Sequence, residues 1–396
     1  MTENKIDKKK LVIAIYSHPD YYPPTLNALE FLSESYDDIY VLHRNITGFD
    51  WQYPSNVHLV STKNLIDVRD AEKAGLHKKI LWFLDFTFRF LYLIKKYKPH
   101  TILIYDSLPV LSYRILKPFI FKPKILWYHN HDVIDITYTR KYSLAWWAWK
   151  SEKWIFHYLN IFSLPSIERK RYFNMEELKG KFFFLPNYPS KKIYKRVSNS
   201  KKEILNNIVN ISFQGAISEG HGFEEIIKYV LPCSKYDCRL FLRGYVSESY
   251  KCMLTELAAT FNIEEKLFFS GFLPYSKLIH LNDDMNIGIA IYKKKDVMNS
   301  TIATASNKIY EYAASGMAVL LFDNEHFRET LKDKPWVFYT DTSRESLLQA
   351  IDAIISNYEK VKMQALNDFN NQFYFEKSFN PLIEFISYAN QGLSKL

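Results

Sequence analysis

The sequence predicts an α/β protein built from two doubly wound domains, each a parallel sheet wrapped by helices. Short runs of consecutive apolar, often β-branched residues alternate with longer amphipathic stretches, the pattern of parallel strands buried on both faces. The alternation restarts after a polar, basic interruption at 191–202 (KKIYKRVSNSKK), and 396 residues are too many for one ordinary core but suit two domains of about 150 to 200 residues each.

In the first half, Leu11 to Tyr16 reads as a buried strand that enters the polar loop Ser17-His18-Pro19-Asp20, and Leu26, Leu29, Phe31 and Leu32 give Thr25 to Ser35 helical spacing. Strands follow at Ile39 to Leu42, His58 to Ser61, Thr101 to Tyr105 and Lys124 to Tyr128, with a long helix over Lys78 to Tyr97. Beyond the interruption, strands are expected at Ile208 to Phe213, Arg239 to Leu242, Leu267 to Ser270, Ile287 to Ile291 and Ala318 to Phe322. Helices are expected at Phe223 to Tyr229, Ser247 to Phe261, Tyr275 to Leu281 and Lys308 to Ala314. The tail, Glu345 to Leu396, reads as helices whose aromatic part, Phe369 to Phe379, suits packing against the first domain. The expected boundaries are 1–190, a linker at 191–202, a second domain at 203–375 and a returning C-terminal helix at 376–396.

Composition narrows the function classes. Hydrophobic residues at 47% and charged residues at 24% describe an ordinary globular chain. Three cysteines crowded at 233, 238 and 252, without metal-ligand spacing, argue against a disulfide framework or a zinc site and fit a reducing compartment. The first ten residues are polar and Lys-rich, the apolar run after them is too short for a signal peptide, and Ile80 to Ile94 is too short and too interrupted by Asp85 and Arg89 to span a bilayer. A cytoplasmic protein is expected. Aromatic content of 17% together with a net charge of +9 favours phosphorylated ligands or membrane headgroups. Nucleic acid is disfavoured as a partner, because the basic residues are dispersed and form no recognised motif.

Ligands of doubly wound proteins bind at the carboxyl ends of the strands, so the loops there are where chemistry is sought. Ala305-Ser-Asn-Lys-Ile-Tyr-Glu-Tyr-Ala-Ala-Ser-Gly-Met-Ala-Val is a polar loop, a short helix, a glycine stop and a buried strand. Backbone N–H groups at such a helix start, with Ser306, Asn307 and Lys308, can hold a diphosphate, and Glu311 stands one turn deeper. The segment resembles the P-N-K-L-x-E-Y-x-A-x-G-x-P-V stretch of the family-4 glycosyltransferases, retaining enzymes of the GT-B fold, whose two Rossmann-like domains face a central cleft. By that resemblance Glu311 accepts hydrogen bonds from ribose hydroxyls. The run from Ile211 through Gly215, His221 and Gly222 is similar to the G-R-L-x-x-x-K-G loop that opens the family's donor domain. Ala216 replaces its Arg and His221 its diphosphate-binding Lys, and Arg243 is a substitute cation. Ala303 stands where the family carries a second glutamate, with Asn299, Ser300 and Thr301 as polar neighbours.

In the first domain, His129-Asn-His131-Asp132 after a buried strand resembles the family loop whose histidine lies beside the donor sugar and the acceptor. His131 and Asp132 are the first choice, with His129, Asp106 and His18 on the acceptor side. Phe182-Phe-Phe-Leu-Pro186-Asn187-Tyr188 resembles the strand end that closes the first domain, with Tyr188 in place of a glycine.

The resemblance implies retaining transfer of a sugar from a nucleotide diphosphate sugar by front-face attack, the leaving diphosphate stabilised by Lys308, without cofactor or metal. It implies a glycan or lipid-linked acceptor in bacterial surface polysaccharide synthesis. Trp146, Trp147 and Trp149, with nearby lysines, suit contact with the inner face of the plasma membrane. A sugar-nucleotide epimerase of the same architecture and a catalytically inactive GT-B protein that binds glycan or recruits a partner transferase are the alternatives.

Overall fold

The computed structural model describes residues 9–65, 74–194, 204, 207–233, 235–293, 296–332 and 334–390. Most of the expected linker, 195–202, and the end of the expected C-terminal helix, 391–396, lie outside the described residues. The chain divides into two compact units, Met1–Pro186 with Ser378–Leu396, and Asn187–Lys377.

The first unit holds a seven-stranded parallel sheet in the order β3-β2-β1-β4-β5-β6-β7. Its strands are β1 (Lys10–Ile15), β2 (Asp38–Asn45), β3 (Val57–Leu65), β4 (Thr101–Tyr105), β5 (Ile125–His129), β6 (Ile161–Leu164) and β7 (Lys181–Phe184). Alternate residues face opposite sides, so Val12, Ala14, Ile102, Ile104, Leu126 and Tyr128 form one buried face. The helix Leu76–Tyr97 covers that face with Phe86, Phe90, Leu93 and Ile94, spaced three and four apart as one helical stripe. The helix Phe375–Asn390 belongs to this unit from Ser378 onward, where Phe379 meets Trp127 and Phe31 at ring distances of 6.2 and 6.1 Å.

The second unit repeats the winding with six parallel strands in the order β10-β9-β8-β11-β12-β13. These are β8 (Ile208–Gln214), β9 (Asp237–Arg243), β10 (Leu267–Gly271), β11 (Ile287–Ala290), β12 (Ala318–Phe322) and β13 (Val337–Thr340). In each unit the first strand lies mid-sheet and the order reverses on either side of it, which opens a crevice beyond the carboxyl ends of β1 and β4, and of β8 and β11. Strands β8 and β11 pair only through Ile211 with Ile287 and Ser212 with Gly288 before they part. The ring of Tyr312 lies so close over Gly288 that a Cβ there would fall 2.1 Å from it, and its hydroxyl accepts the Gln214 N–H at 3.0 Å.

The sequence anticipates eleven of these strands within a few residues and misses β6 and β13, each only four residues long. The helices Ser107–Leu116 and Glu325–Leu331 are also unanticipated. The helix expected over Phe223 to Tyr229 is a short α turn, Phe223–Glu225, that widens into a π-helical stretch, Ile226–Val230.

Backbone hydrogen bonds continue past the strand ends in the second unit. Gly215 N–H donates to Arg243 O at 2.9 Å, Gly244 N–H to Gly271 O at 2.8 Å, and Ile217 N–H to Tyr245 O at 2.8 Å. Gly244 permits this with φ of +146°, and a Cβ there would lie 1.8 Å from Gly215 O. Gly244→Ala therefore forces the two loops apart, and the midpoint of urea unfolding should drop by the equivalent of about 3 kcal/mol or more.

Candidate functional site

In the second unit the carboxyl edge of the sheet carries the helix Asn307–Ala314. Its cap, Ser306, leaves the first N–H groups without a side-chain acceptor, because its hydroxyl meets Tyr292 Oη at 3.0 Å instead. Asn307 Oδ1 is buried and likewise has no partner. The first N–H groups of this helix therefore remain as donors for a ligand, while Asn307 Oδ1 remains an open acceptor.

Lys308, half-buried as a residue, lays its ammonium over the ring of Phe213 at 3.9 Å and against Gly215, whose missing Cβ would stand 3.1 Å from it. The positive φ of Gly215, +131°, keeps that approach open. The ammonium forms no ion pair or hydrogen bond with the described residues. Burial lowers its pKa to about 7, against the opposing pull of Glu311. The Glu311 carboxyl accepts from the Gln214 side-chain amide, and burial raises it to about 7. The network runs on. Asn282 Nδ2 donates to Gln214 Oε1 at 3.2 Å, and Arg243 Nη1 donates to Asn282 Oδ1 at 3.0 Å. Arg243 Nη2 is bonded to Leu281 O at 2.9 Å, so two of its nitrogens hold the site's frame.

His221 sits among Phe213, Phe223 and Tyr292, with Nδ1 2.8 Å from Ile291 O, a bond in which the imidazole donates its proton. Burial and then the charge of Lys308 lower its pKa to about 4. In the empty site it is a neutral ring whose Nε2 presents a lone pair, not a cation. Gly222, at φ +78°, lies against Ile291 Cδ1. Asn299, Ser300 and Thr301 bond to their own turn, through Asp296 and Val297, and Ala303 is fully buried.

In the first unit the site centres on Asp106, which follows β4 with φ of +62°, a left-handed conformation that costs a non-glycine residue about 1 kcal/mol or more. The strained turn aims its carboxylate at the loop after β5. Oδ1 accepts the backbone N–H of His131 at 2.6 Å and of Asp132 at 3.3 Å, while Oδ2 lies 3.2 Å from His131 Nδ1. His131 is sandwiched between Tyr22 and Tyr105, at 4.3 and 4.8 Å between ring centres, and its Nε2 lies 3.3 Å from Thr25 Oγ1. Asp132 is exposed, and its backbone N–H donates to Asp106 Oδ1. Asp106, His131 and Asp132 thus form one constellation. His129, the last residue of β5, points into the sheet instead, with Nδ1 2.8 Å from Ser163 Oγ, and burial holds its imidazole well below the ordinary range. His18 stacks on Phe49 at 4.1 Å and accepts the Asp20 N–H, in a separate cluster with His43.

Several residues of these sites escape sequence reasoning. Arg169, fully buried, donates to His131 O and fixes the loop from below. Asn130 donates to Tyr128 Oη at 3.0 Å and to Asp132 O at 3.1 Å. Glu152 accepts from Tyr128 Oη, and burial raises its carboxyl to about 8. Its position shared a legible signal: Ala148, Ser151, Glu152 and Ile155 form the buried stripe of the helix Leu144–Ile155, and a carboxyl on such a stripe needs a partner.

No known protein-family profile matches the chain, and no curated protein is detectably similar in sequence. Solved structures are similar in fold. A sucrose-phosphate synthase from Thermosynechococcus elongatus superposes with a TM-score of 0.66 at 11% identity, over 98% of this chain and 99% of that one. A glycosyltransferase from Rickettsia africae gives 0.66 at 12% identity, over 97% and 99%. Anabaena HepE, solved with UDP and glucose, gives 0.63 at 12% identity, over 96% and 99%. The chain has the GT-B fold of these enzymes.

A buried acid whose folded pKa exceeds its unfolded value stabilises the fold fully below the unfolded value and loses that contribution as pH rises through the folded one. For Glu152 the window runs from about 4.5 to about 8. Glu152→Gln keeps an acceptor for Tyr128 but cannot ionise, so its melting temperature relative to the unaltered protein should rise between pH 6 and pH 9. A constant difference across that range would show that Glu152 does not titrate there.

Proposed function

We propose that the protein is a retaining glycosyltransferase that uses a nucleotide diphosphate sugar as donor. The observation that carries the reading is the pairing of Lys308 and the uncapped start of the helix Asn307–Ala314 with the open-backed Gly215 loop. A diphosphate supplies what this edge lacks: acceptors for the free N–H groups and a counter-charge for the ammonium. Glu311, one turn deeper, then takes the ribose hydroxyls. HepE and an alpha-glucosyltransferase among the similar folds were each solved with UDP-glucose, which makes a uridine donor the first to test.

In this reading the acceptor hydroxyl attacks on the face that the diphosphate leaves, and a leaving-group oxygen takes its proton. The protein contributes position and charge stabilisation rather than a nucleophile. Lys308 and the helix amides stabilise the growing negative charge. His131, oriented by Asp106 and clamped by two tyrosine rings, positions the sugar, while Asp132 and His18 belong to the acceptor side. The reading invokes no metal and no cofactor. The acceptor is a glycan or a lipid-linked glycan of bacterial surface polysaccharide synthesis, reached from the cytoplasm. Trp147 is exposed, and Lys150 and Lys153 lie over Trp146 and Trp149 at 4.3 Å each, a surface suited to membrane contact. No helix among the described residues is long and apolar enough to cross a membrane.

UDP should raise the melting temperature of the protein, and Glu311→Gln should weaken UDP binding about tenfold. No shift with UDP, GDP, ADP, CMP or dTDP would defeat the reading.

A second test uses charge. Lys308 has a pKa of about 7 in the empty site and must be an ammonium beside a diphosphate, so binding above pH 7 takes up a proton. Affinity for UDP should fall between pH 7 and pH 9, by up to about tenfold per unit. Calorimetry at pH 8 in buffers of different ionisation heat should show proton uptake that Lys308→Met abolishes.

A further inference from the structure

A second cavity, of about 410 Å³, lies at the carboxyl edge of the first sheet. Every strand end and helix start around it is accounted for by the winding. Tyr16 follows β1, Arg44 is the penultimate residue of β2, Leu108 opens the helix after β4, and Leu144 opens the helix after β5. Trp82 and Leu76 close it from the helix Leu76–Tyr97. Three lining residues, Tyr16, Leu108 and Leu144, pack against a small apolar cluster of Phe83, Leu111 and Ala148. The lining is largely apolar and holds two cations, Lys79 and one charged group framed by aromatic rings.

That group is the Arg44 guanidinium. It lies 5.1 Å from the ring of Tyr16 and 5.8 Å from that of Trp82. Nε is buried and has no hydrogen-bond partner, and the side chain makes no ion pair or hydrogen bond with the described residues. The groups that act on it electrostatically are the tyrosine hydroxyls of Tyr16 and Tyr21, not a carboxylate, and burial lowers its pKa. A half-buried cation with five donors and, among the described residues, only ring faces beside it gains when a ligand brings the counter-charge. Cation–π contact offsets only part of the cost of taking the guanidinium out of water.

The apolar lining continues outward. Leu76 belongs both to the cavity and to an exposed row on its helix, where Ile80, Leu84 and Phe88 follow at spacings of four, with Lys78, Lys95 and Lys96 exposed at the two ends. A ligand whose anionic end meets Arg44 can thus leave the cavity along a surface that accepts hydrocarbon and is bordered by positive charge.

Resting on the transferase reading above, we infer that this cavity is the acceptor site, and that the acceptor is an amphiphile whose phosphate meets Arg44 and whose hydrocarbon chain lies over Trp82, Leu144 and Leu76. Lys79, also in the wall, adds positive charge beside the phosphate. The chemistry differs from that of the donor site. There the phosphate is held by helix amides and a lysine that takes up a proton on binding, and here by a permanent cation framed in aromatic rings.

The test compares three probes by calorimetry on the unaltered protein, each below its micelle concentration: decyl phosphate, inorganic phosphate and decyl maltoside. Decyl phosphate should bind at least about ten times more tightly than either of the others, since only it satisfies both halves of the site. Arg44→Gln should reduce it to the level of the neutral amphiphile, and Arg44→Lys should recover part of the loss. Equal binding of decyl phosphate and decyl maltoside, equal binding of decyl phosphate and inorganic phosphate, or indifference of decyl phosphate to Arg44→Gln overturns the inference. The probe comparison decides the matter even if the Gln variant fails to fold. The response to nucleotides is scored separately: decyl phosphate binding without any nucleotide response would keep the cavity and remove the transferase, and the converse would remove only the cavity.

Discussion

Parallel strands end together, and the loops that leave them must satisfy the last backbone groups of the sheet without the help of a further strand. In both units the chain meets this demand by extending the ladder one rung beyond the strands. Arg44 N–H donates to Ser17 O, Asp106 N–H to His129 O and Asn130 N–H to Ser163 O in the first unit, as Gly215 and Gly244 do in the second. The residues singled out for chemistry stand on or beside this extra rung. Its geometry explains the positive φ angles of Asp106, Gly215 and Gly244, because a strand that stops pairing and turns at once has few conformations open to it.

The same edge concentrates charge where water is scarce. Lys308, Glu311, His221 and Glu152 all have their charged forms disfavoured by burial, while Arg44, Arg169 and Arg243 cannot shed a proton and must find another solution. Arg243 and Arg169 find carbonyl and amide oxygens. Among the described residues, half-buried Arg44 finds only aromatic faces. That contrast separates two arginines held by the fold's own oxygens from one free to meet a ligand.

Much of the fold was legible because apolar runs and helical stripes are local signals. The grouping at the start of the helix Asn307–Ala314 was legible for a similar reason: Ser306, Asn307, Lys308 and Glu311 lie close together in the chain, and their spacing on one helix survives in the sequence. The clamp around His131 was not. Tyr22 and Thr25 at the start of the helix Pro23–Leu32, Tyr105 at the end of β4 and Arg169 in the turn Ile167–Tyr172 are far apart in sequence, and none has a spacing that announces it. Asp106 read as a loop carboxylate, since a left-handed φ leaves no trace in residue type. Arg44 carried no signal in the sequence, since only the arrival of Trp82 from a distant helix frames it. His221 shows the opposite limit: its place in the loop was read correctly, but its proton is committed to Ile291 O, a fact of packing alone.

The amine of Lys308 has one further property. An ammonium held near pKa 7 spends about half its time at neutral pH as a free amine, whereas an ordinary lysine does so less than about one part in a thousand. Among the described lysines it is the one whose ammonium burial disfavours, and so the one most disposed to act as a nucleophile. A phosphorylated aldehyde drawn to the helix start would condense with it, losing water to form an imine that borohydride makes permanent. The same burial that weakens its charge marks this position for covalent labelling.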